Sequence, residues 1–289
     1  MSLDFLASCK ADVFANITAV ISSNTEIASA MRYSAIAESK CIRAGLVYAS
    51  SKLSNDLSQG GSTDLATSIE LMHTYSLIHD DLPAMDDDEI RRGQASNHIK
   101  FSEATAILAG DALQALAYEL IVSSSNLENE HKIGSMKILT SACGYEGMIL
   151  GQQYDLEAEN NNFDDIKKIH TLKTARLIQA ALTMPHATKE TDSELLLNLD
   201  SIGEKLGLAF QIMDDVLEVT SSSEIIGKSN RSDIENKKMT YVTQFGVDQS
   251  TQQAQDLVDA CISSLQTLNH NERANNLIDL AKFMISRES

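Results

Sequence analysis

The chain has no tryptophan, and only two prolines and 13 glycines stand among its 289 residues. Tight turns need proline and glycine, so this scarcity argues against a β-rich sandwich or barrel. Leu, Ala, Ile and Ser abound instead, and the expected fold is mostly helical. The four cysteines (Cys9, Cys41, Cys143, Cys261) lie far apart with no Cys-x-x-Cys pair. That excludes the spacing of a structural zinc site and a dense disulfide framework, and a reducing cytoplasm is the expected compartment. No run approaches ~18 uninterrupted apolar residues, so no membrane span is expected. The opening MSLDFLASCK lacks the basic segment of a secretion signal. Positive charge is scarce as well: 23 Lys and Arg face 41 Asp and Glu, a net charge of −18. Such a surface repels phosphate backbones and argues against nucleic-acid partners. With 43% hydrophobic and 22% charged residues the composition is that of a globular chain. At ~150 residues per domain the length suggests two domains, but one large core is also possible at this size, and no polar stretch has a linker's composition.

Polar breaks near 53–64, 123–132, 158–165, 186–193 and 220–236 separate segments with helical spacing. The clearest helix opens at Thr191-Asp192-Ser193-Glu194, a capping-box pattern. Its apolar face runs through Leu195, Leu199, Ile202, Leu206, Ala209, Met213 and Val216. Glu204, Gly207, Gln211, Asp214, Asp215 and Glu218 fall on the other side.

Two acidic clusters stand out. The first, in YSLIHDDLPAMDDDEIRRG, holds Asp80, Asp81, Asp86, Asp87, Asp88 and Glu89, followed by Arg91 and Arg92. Carboxylates this dense repel one another unless cations or hydrogen bonds compensate. On a straight helix Asp80 and Asp86 would be ~600° apart and point to different sides. Pro83 breaks that helix, so both can reach one site. The second cluster, QIMDDVLEV, places Gln211, Asp214 and Glu218 on one helical face. Taken alone, either cluster is also compatible with a solvated surface. Together they supply the oxygen ligands that Mg²⁺ prefers when it bridges carboxylates to substrate phosphates. Neither has a calcium-loop pattern, and there is no HExxH or Walker glycine loop. Lys40, Arg43, Arg91, Arg92, Lys173, Lys228 and Lys238 lie beside or between these motifs in a chain otherwise poor in cations. The combination suggests a site for two polyanions, one gripped through Mg²⁺ and one through Arg and Lys.

These motifs resemble those of the trans-isoprenyl diphosphate synthase family, and within it the bacterial farnesyl diphosphate synthases (geranyltranstransferases). HDDLPAMDDDEIRRG is similar to the first aspartate-rich motif with its arginine pair. AILAGDALQ, GQQYD (151–155), LKT (172–174), QIMDDVLE and GKSNRSDIENKKMTY (227–241) follow in the family's order. The resemblance implies one all-α polyprenyl synthetase domain over residues 1–289, a bundle of about ten or more helices around a central cavity with the two acidic motifs at its mouth. It also implies a homodimer and Mg²⁺, three ions per site with substrate bound.

By the same resemblance Asp80, Asp86 and Asp214 bind the metal. Arg91, Lys173, Thr174, Gln211, Lys228 and Lys238 hold the allylic diphosphate. Lys40, Arg43, His73 and Arg92 hold isopentenyl diphosphate. The implied catalytic set is Asp80, Asp86, Asp214, Lys173 and Lys228. The allylic C–O bond ionises, the isopentenyl double bond attacks, and a proton leaves to the released diphosphate. Tyr75, five residues before Asp80, is implied to act as the floor that limits the product to fifteen carbons. His79 reads as a hydrogen-bonding support rather than a base, and Cys143 and Cys261 read as small buried residues.

The chain departs from the family's GGKRLRP. AESKCIRAG (37–45) keeps Lys40 and Arg43 but places Glu38 and Ser39 at the glycines and Cys41 at an arginine. A carboxylate beside a diphosphate is repulsive. The second acidic motif also ends in Glu218, where Asp is usual. A non-catalytic homologue, a geranylgeranyl diphosphate synthase and a class I terpene cyclase therefore stay open as alternatives.

Overall fold

Short polar side chains start several of the helices. Thr25 Oγ1, Ser58 Oγ, Ser102 Oγ and Asp165 Oδ1 each accept the backbone N–H three residues on, from Ala28, Gly61, Thr105 and Lys168. Each bond satisfies a donor that the first helical turn leaves open and contributes about 1 kcal/mol. The computed structural model describes residues 2–54, 57–160, 162–188, 191–220, 240–268 and 273–286. Among them the fold is all-α, as the composition predicts. The sole strands there are two-residue pieces, Ile90–Arg91 (β1) and Gln94–Ala95 (β2), paired antiparallel.

The chain divides into two compact units. The first comprises Leu3–Lys137 and Met184–Thr188. It holds α1 (Ser2–Val20), α2 (Glu26–Ala35), α3 (Ile42–Ser51), α4 (Gln59–Asp80), the hairpin, α5 (Asn97–Lys100), α6 (Glu103–Ser123) and the start of α7 (Asn129–Cys143). Its central element is α4, which packs against α6 and α3. Leu65, Ala66, Ile69, Leu71 and Met72 are fully buried there. Consecutive buried residues mean that α4 is covered on more than one face, as a helix inside a core must be. The larger ones, Leu65, Ile69, Leu71 and Met72, each contribute roughly 1.5–3 kcal/mol by leaving water. On α6, Ala106, Ala109, Leu113, Ala117 and Ile121 follow helical steps and are likewise fully buried. Its opposite face exposes Ile107, Leu108 and Val122. By length and composition alone α6 is apolar enough to cross a membrane.

The second unit comprises Ile138–Thr183 and Lys189–Ser289. It contains the rest of α7, α8 (Met148–Glu159), α9 (Ile166–His170), a π-helical turn (Thr171–Ala175), α10 (Arg176–Thr183), α11 (Ser193–Thr220), α12 (Tyr241–Phe245), α13 (Val247–Thr267) and α14 (Asn275–Ser286). Here α11 is central, packed on α10, α13 and the π turn. Leu199, Ile202, Leu206, Ala209 and Val216 are buried as expected. Three details of α11 differ from the expectation, the first being that Leu195 and Met213, expected on the core face, are only half-buried. The Glu194 N–H is taken by Asp192 Oδ1 at 2.9 Å, so Asp192 supplies a cap at this end. Gly207 and Asp215, expected on the polar side, are buried. Gly207 lies against Ala175, and Asp215 accepts a backbone N–H from α12.

Candidate active site

In the first unit α4 stops at Asp80, with Asp81 as its C-cap. Pro83 prevents the helix from continuing, and the chain folds back. Met85 N–H donates to Leu82 O at 2.8 Å, and Asp86 N–H donates to Asp80 O at 2.9 Å. The reversal brings together the two carboxylate-bearing residues that an unbroken helix would have separated. Both are half-buried, whereas Asp81 is only 2% exposed. The Asp81 carboxylate turns to Arg91, which donates to its Oδ1 through Nε (2.8 Å) and Nη2, and to Asp88 Oδ2 at 2.7 Å. Burial pushes Asp81 up to about 6, opposed by the Arg91 guanidinium, so the carboxylate is ionised and paired at neutral pH.

Arg91 and Arg92 sit on the hairpin that follows. Its two-residue turn, Arg92 (φ 54°) and Gly93 (φ 75°), has both residues left-handed, the backbone that matches strand twist. For Arg92 this conformation costs about 1 kcal/mol, and such strain concentrates at functional sites. The hairpin is tied to α2, with Tyr33 Oη donating to Ala95 O at 2.8 Å and Asn97 Nδ2 to Ala30 O at 2.9 Å. A small pocket opens here, lined among others by Tyr33, Thr74, Asp81, Arg91, Arg92 and Asn97.

Beside it, α3 begins at Cys41, a left-handed residue (φ 46°) without a side-chain cap. The buried Glu70 of α4 caps the helix instead, its Oε1 accepting the Ala44 N–H at 2.9 Å. Arg43 Nη1 lies 3.1 Å from His73 Nε2. Burial, with Arg43, Arg92 and Arg91 around it, drives His73 well below its ordinary value. The ring is therefore neutral and its Nε2 accepts from Arg43. Lys40 is exposed. Glu38 pairs with Lys10 at 2.6 Å, which compensates the carboxylate that stands where the family has glycine. The Cys41 thiol is buried and pushed up to about 12, so it carries no charge near the site. Tyr75 is buried and meets His79 edge-on, with ring centroids 5.3 Å apart. His79 Nε2 in turn reaches Ile107 O at 3.1 Å. His79 thus links the end of α4 to α6.

In the second unit Lys173 and Thr174 lie on the π turn. Lys173 Nζ pairs with Asp155 Oδ2 at 2.7 Å, and Thr174 Oγ1 donates to Gln211 Oε1 at 2.9 Å. On α11 Asp214 and Glu218 are half-buried, and Asp215 is 6% exposed with its Oδ2 accepting the Tyr241 N–H at 2.8 Å. Lys228 and Lys238 lie outside the described residues.

The donor set suits a hard divalent cation, being oxygen only. Among the described residues no three His, Cys, Asp or Glu side chains converge on one point. Mg²⁺ would thus be held by one or two carboxylates together with substrate phosphate oxygens, its usual habit.

The sequence matches the polyprenyl synthetase family over residues 24–280. The chain belongs to that family. It is 39% identical over 283 residues to the farnesyl diphosphate synthase of Haemophilus influenzae, covering 95% of this chain and 93% of that one. Its structure is similar to a geranyltransferase from Legionella pneumophila, with TM-score 0.87, 32% identity, and coverage of 99% and 97%. A Helicobacter pylori geranyltransferase, complexed with magnesium and isoprenyl diphosphate, matches with TM-score 0.85, 31% identity, and coverage of 99% and 98%.

Nothing in the local sequence marks out Glu70, Asp81, Asp155 or Asp215 for these roles. Each takes a partner remote in sequence or belongs to a cluster whose members look alike. Helical periodicity carries no signal for such pairs, though an isolated carboxylate within the apolar run of α4 hints at Glu70.

Proposed function

We propose that this chain condenses isopentenyl diphosphate with dimethylallyl or geranyl diphosphate, releasing diphosphate and giving mainly farnesyl diphosphate. The observation that carries this reading is the reversal at Pro83, which joins Asp80 to Asp86 and leads directly into the Arg91–Arg92 hairpin. Asp80, Asp86 and Asp214 are the residues that would hold Mg²⁺, three ions per site, and Mg²⁺ when bound supplies charge that stabilises the departing diphosphate. Arg91, Lys173, Thr174, Gln211, Lys228 and Lys238 hold the allylic diphosphate. Lys40, Arg43, His73 and Arg92 hold isopentenyl diphosphate. Neutral His73 keeps the Arg43 guanidinium in place without adding a proton of its own.

The allylic C–O bond breaks with its electron pair going to the leaving diphosphate. The isopentenyl double bond then forms the new C–C bond, and a proton departs to the released diphosphate. Holding the two substrates together supplies much of the acceleration, and excluding water protects the allylic cation. Tyr75 sets the length limit.

One family match crosses the division between the two units, which supports a single polyprenyl synthetase domain. The four cysteines are buried free thiols, in keeping with a cytoplasmic enzyme. The exposed apolar face of α6 suits a second copy of the chain in a homodimer.

The test is to incubate the protein with Mg²⁺, isopentenyl diphosphate and either allylic starter, then identify the dephosphorylated products. Farnesol is expected. Geranylgeraniol would keep the chemistry and refute the Tyr75 floor. A cyclic hydrocarbon from the allylic substrate alone would indicate a cyclase, and no turnover a non-catalytic homologue. The Glu38–Lys10 pair speaks against the last.

A further inference from the structure

Each acidic motif contains two adjacent aspartates, and the structure treats the members of each pair differently. Asp80 and Asp214 are half-buried, whereas Asp81 and Asp215 are 2% and 6% exposed. Both buried carboxylates are turned into the protein. Asp81 Oδ1 accepts two N–H groups of Arg91, whose Nη2 also reaches Asp88. Asp215 Oδ2 accepts the Tyr241 N–H at the start of α12, with His170 Nε2 at 3.9 Å. A buried carboxylate whose oxygen is committed to fixed donors is poorly placed to add a metal, because desolvating it again would forfeit those bonds.

We propose that the labour within each pair is divided. Asp81 and Asp215 are positioning residues rather than metal ligands: Asp81 fixes the guanidinium of Arg91 and with it the hairpin, and Asp215 fixes the beginning of α12. The contrast with Asp80 and Asp214 as ligands rests on the function proposed above. The clamps themselves do not. The strained Arg92–Gly93 turn gives the first clamp a purpose. A two-stranded ribbon is marginal on its own, and the Asp81–Arg91 bonds tie it to the end of α4 and so fix the direction of both arginines.

The experiment uses the full chain with Asp81→Asn, Arg91→Gln, their double mutant and Asp80→Asn. Hydrogen exchange on the unliganded protein reads the clamp whether or not the metal reading holds. Protection of the amides at 89–96 should fall about tenfold in Asp81→Asn and in Arg91→Gln, the loss of one charged hydrogen bond. The double mutant should match Arg91→Gln both in exchange and in the KM for the allylic diphosphate, because Asp81 acts through Arg91. Mn²⁺ binding with inorganic diphosphate, followed by EPR, should stay within about twofold of wild type in Asp81→Asn and be lost in Asp80→Asn. Unchanged protection in Asp81→Asn, or Mn²⁺ binding weakened as much as in Asp80→Asn, would overturn the proposal for Asp81.

For the second pair, the position needs an acceptor and not a charge. Asp215→Asn should therefore keep the protection of the Tyr241 amide, and Asp215→Ala should lose it. Equal protection in both variants would refute that half.

Discussion

Gly151 of α8 lies directly against the backbone of Lys173: a Cβ at Gly151 would come within 2.2 Å of the Lys173 amide nitrogen. From the other side, a Cβ at Gly207 of α11 would stand 2.4 Å from the Ala175 Cα. The π-helical turn is thus held between two helices that approach it closely only because these residues lack side chains. Widened turns of this kind frequently mark functional sites, and this one carries Lys173 and Thr174.

Gly151→Ala should accordingly displace the turn rather than be absorbed, since the clash is with main chain. Overpacking of this type costs roughly 1–3 kcal/mol, measurable by urea unfolding. A shift of about 1 Å at Lys173 would lower turnover by up to about a hundredfold. Wild-type stability together with wild-type turnover would show that α8 retreats freely.

Metal dependence should separate folding from chemistry. No three-residue cage exists among the described residues, so EDTA should abolish product formation while leaving the melting temperature of the unliganded protein unchanged. Mg²⁺ and inorganic diphosphate added together should raise it, because a ligand that binds only the native state stabilises it by mass action. Strong stabilisation by Mg²⁺ alone would point to a protein-only metal site.

The environment of His73 predicts a pH signature. Its folded pKa lies well below the ordinary 6.5, so below pH 6.5 the unfolded chain binds a proton that the native protein refuses. Stability must fall as pH drops through this window, by up to about 1.4 kcal/mol per pH unit. His73→Gln keeps an acceptor for Arg43 but cannot titrate. Comparing urea midpoints at pH 7.5 and 5.5, the wild type should lose about 1 kcal/mol more than the variant. Equal losses would place the His73 pKa at its ordinary value.

Much of this site was legible because local chemistry decided it. Pro83 had to end α4, and a broken helix is what lets Asp80 and Asp86 meet. The helical steps from Leu199 to Val216 announced a core face, and the structure buries it except at Met213, which is half-buried. Asp81 and Asp215 were not legible, since their burial depends on Arg91 and Tyr241, ten and 26 residues away. Nothing local distinguishes them from Asp80 and Asp214. The same holds for Gly207, which looks like a residue of the polar stripe until Ala175 is placed beside it. The Arg92–Gly93 turn went unread because arginine seldom adopts a left-handed backbone, and here the bonds of Arg91 and Tyr33 hold the ribbon around it.

The outer face of α6 supports a quaternary prediction. Leu108 is 50% exposed and Val122 56%, on a helix whose other face is fully buried. Leu108→Glu should leave the fold intact, because a half-exposed site tolerates charge, and yet convert a dimer to a monomer in sedimentation velocity. A dimer of unchanged stability would move the interface elsewhere.

Product length supplies the sharpest test of the role proposed for Tyr75. Tyr75 lies five residues before Asp80 on α4, about 7.5 Å along the helix. Its ring is buried and meets His79 edge-on at 83°. His79 is itself pinned by the Ile107 carbonyl and by Gly110, where a Cβ would fall 2.1 Å from the imidazole Nε2. A fixed aromatic at that depth is what a floor requires. Tyr75→Ala should therefore lengthen the product to twenty carbons or more, while the first condensation, which happens nearer Asp80, keeps its rate. Emptying the site costs about 3–5 kcal/mol, so the assay belongs at a temperature where the variant is verified as folded. Products would be resolved by chromatography after dephosphorylation. An unchanged fifteen-carbon product from folded Tyr75→Ala would mean that another residue closes the cavity.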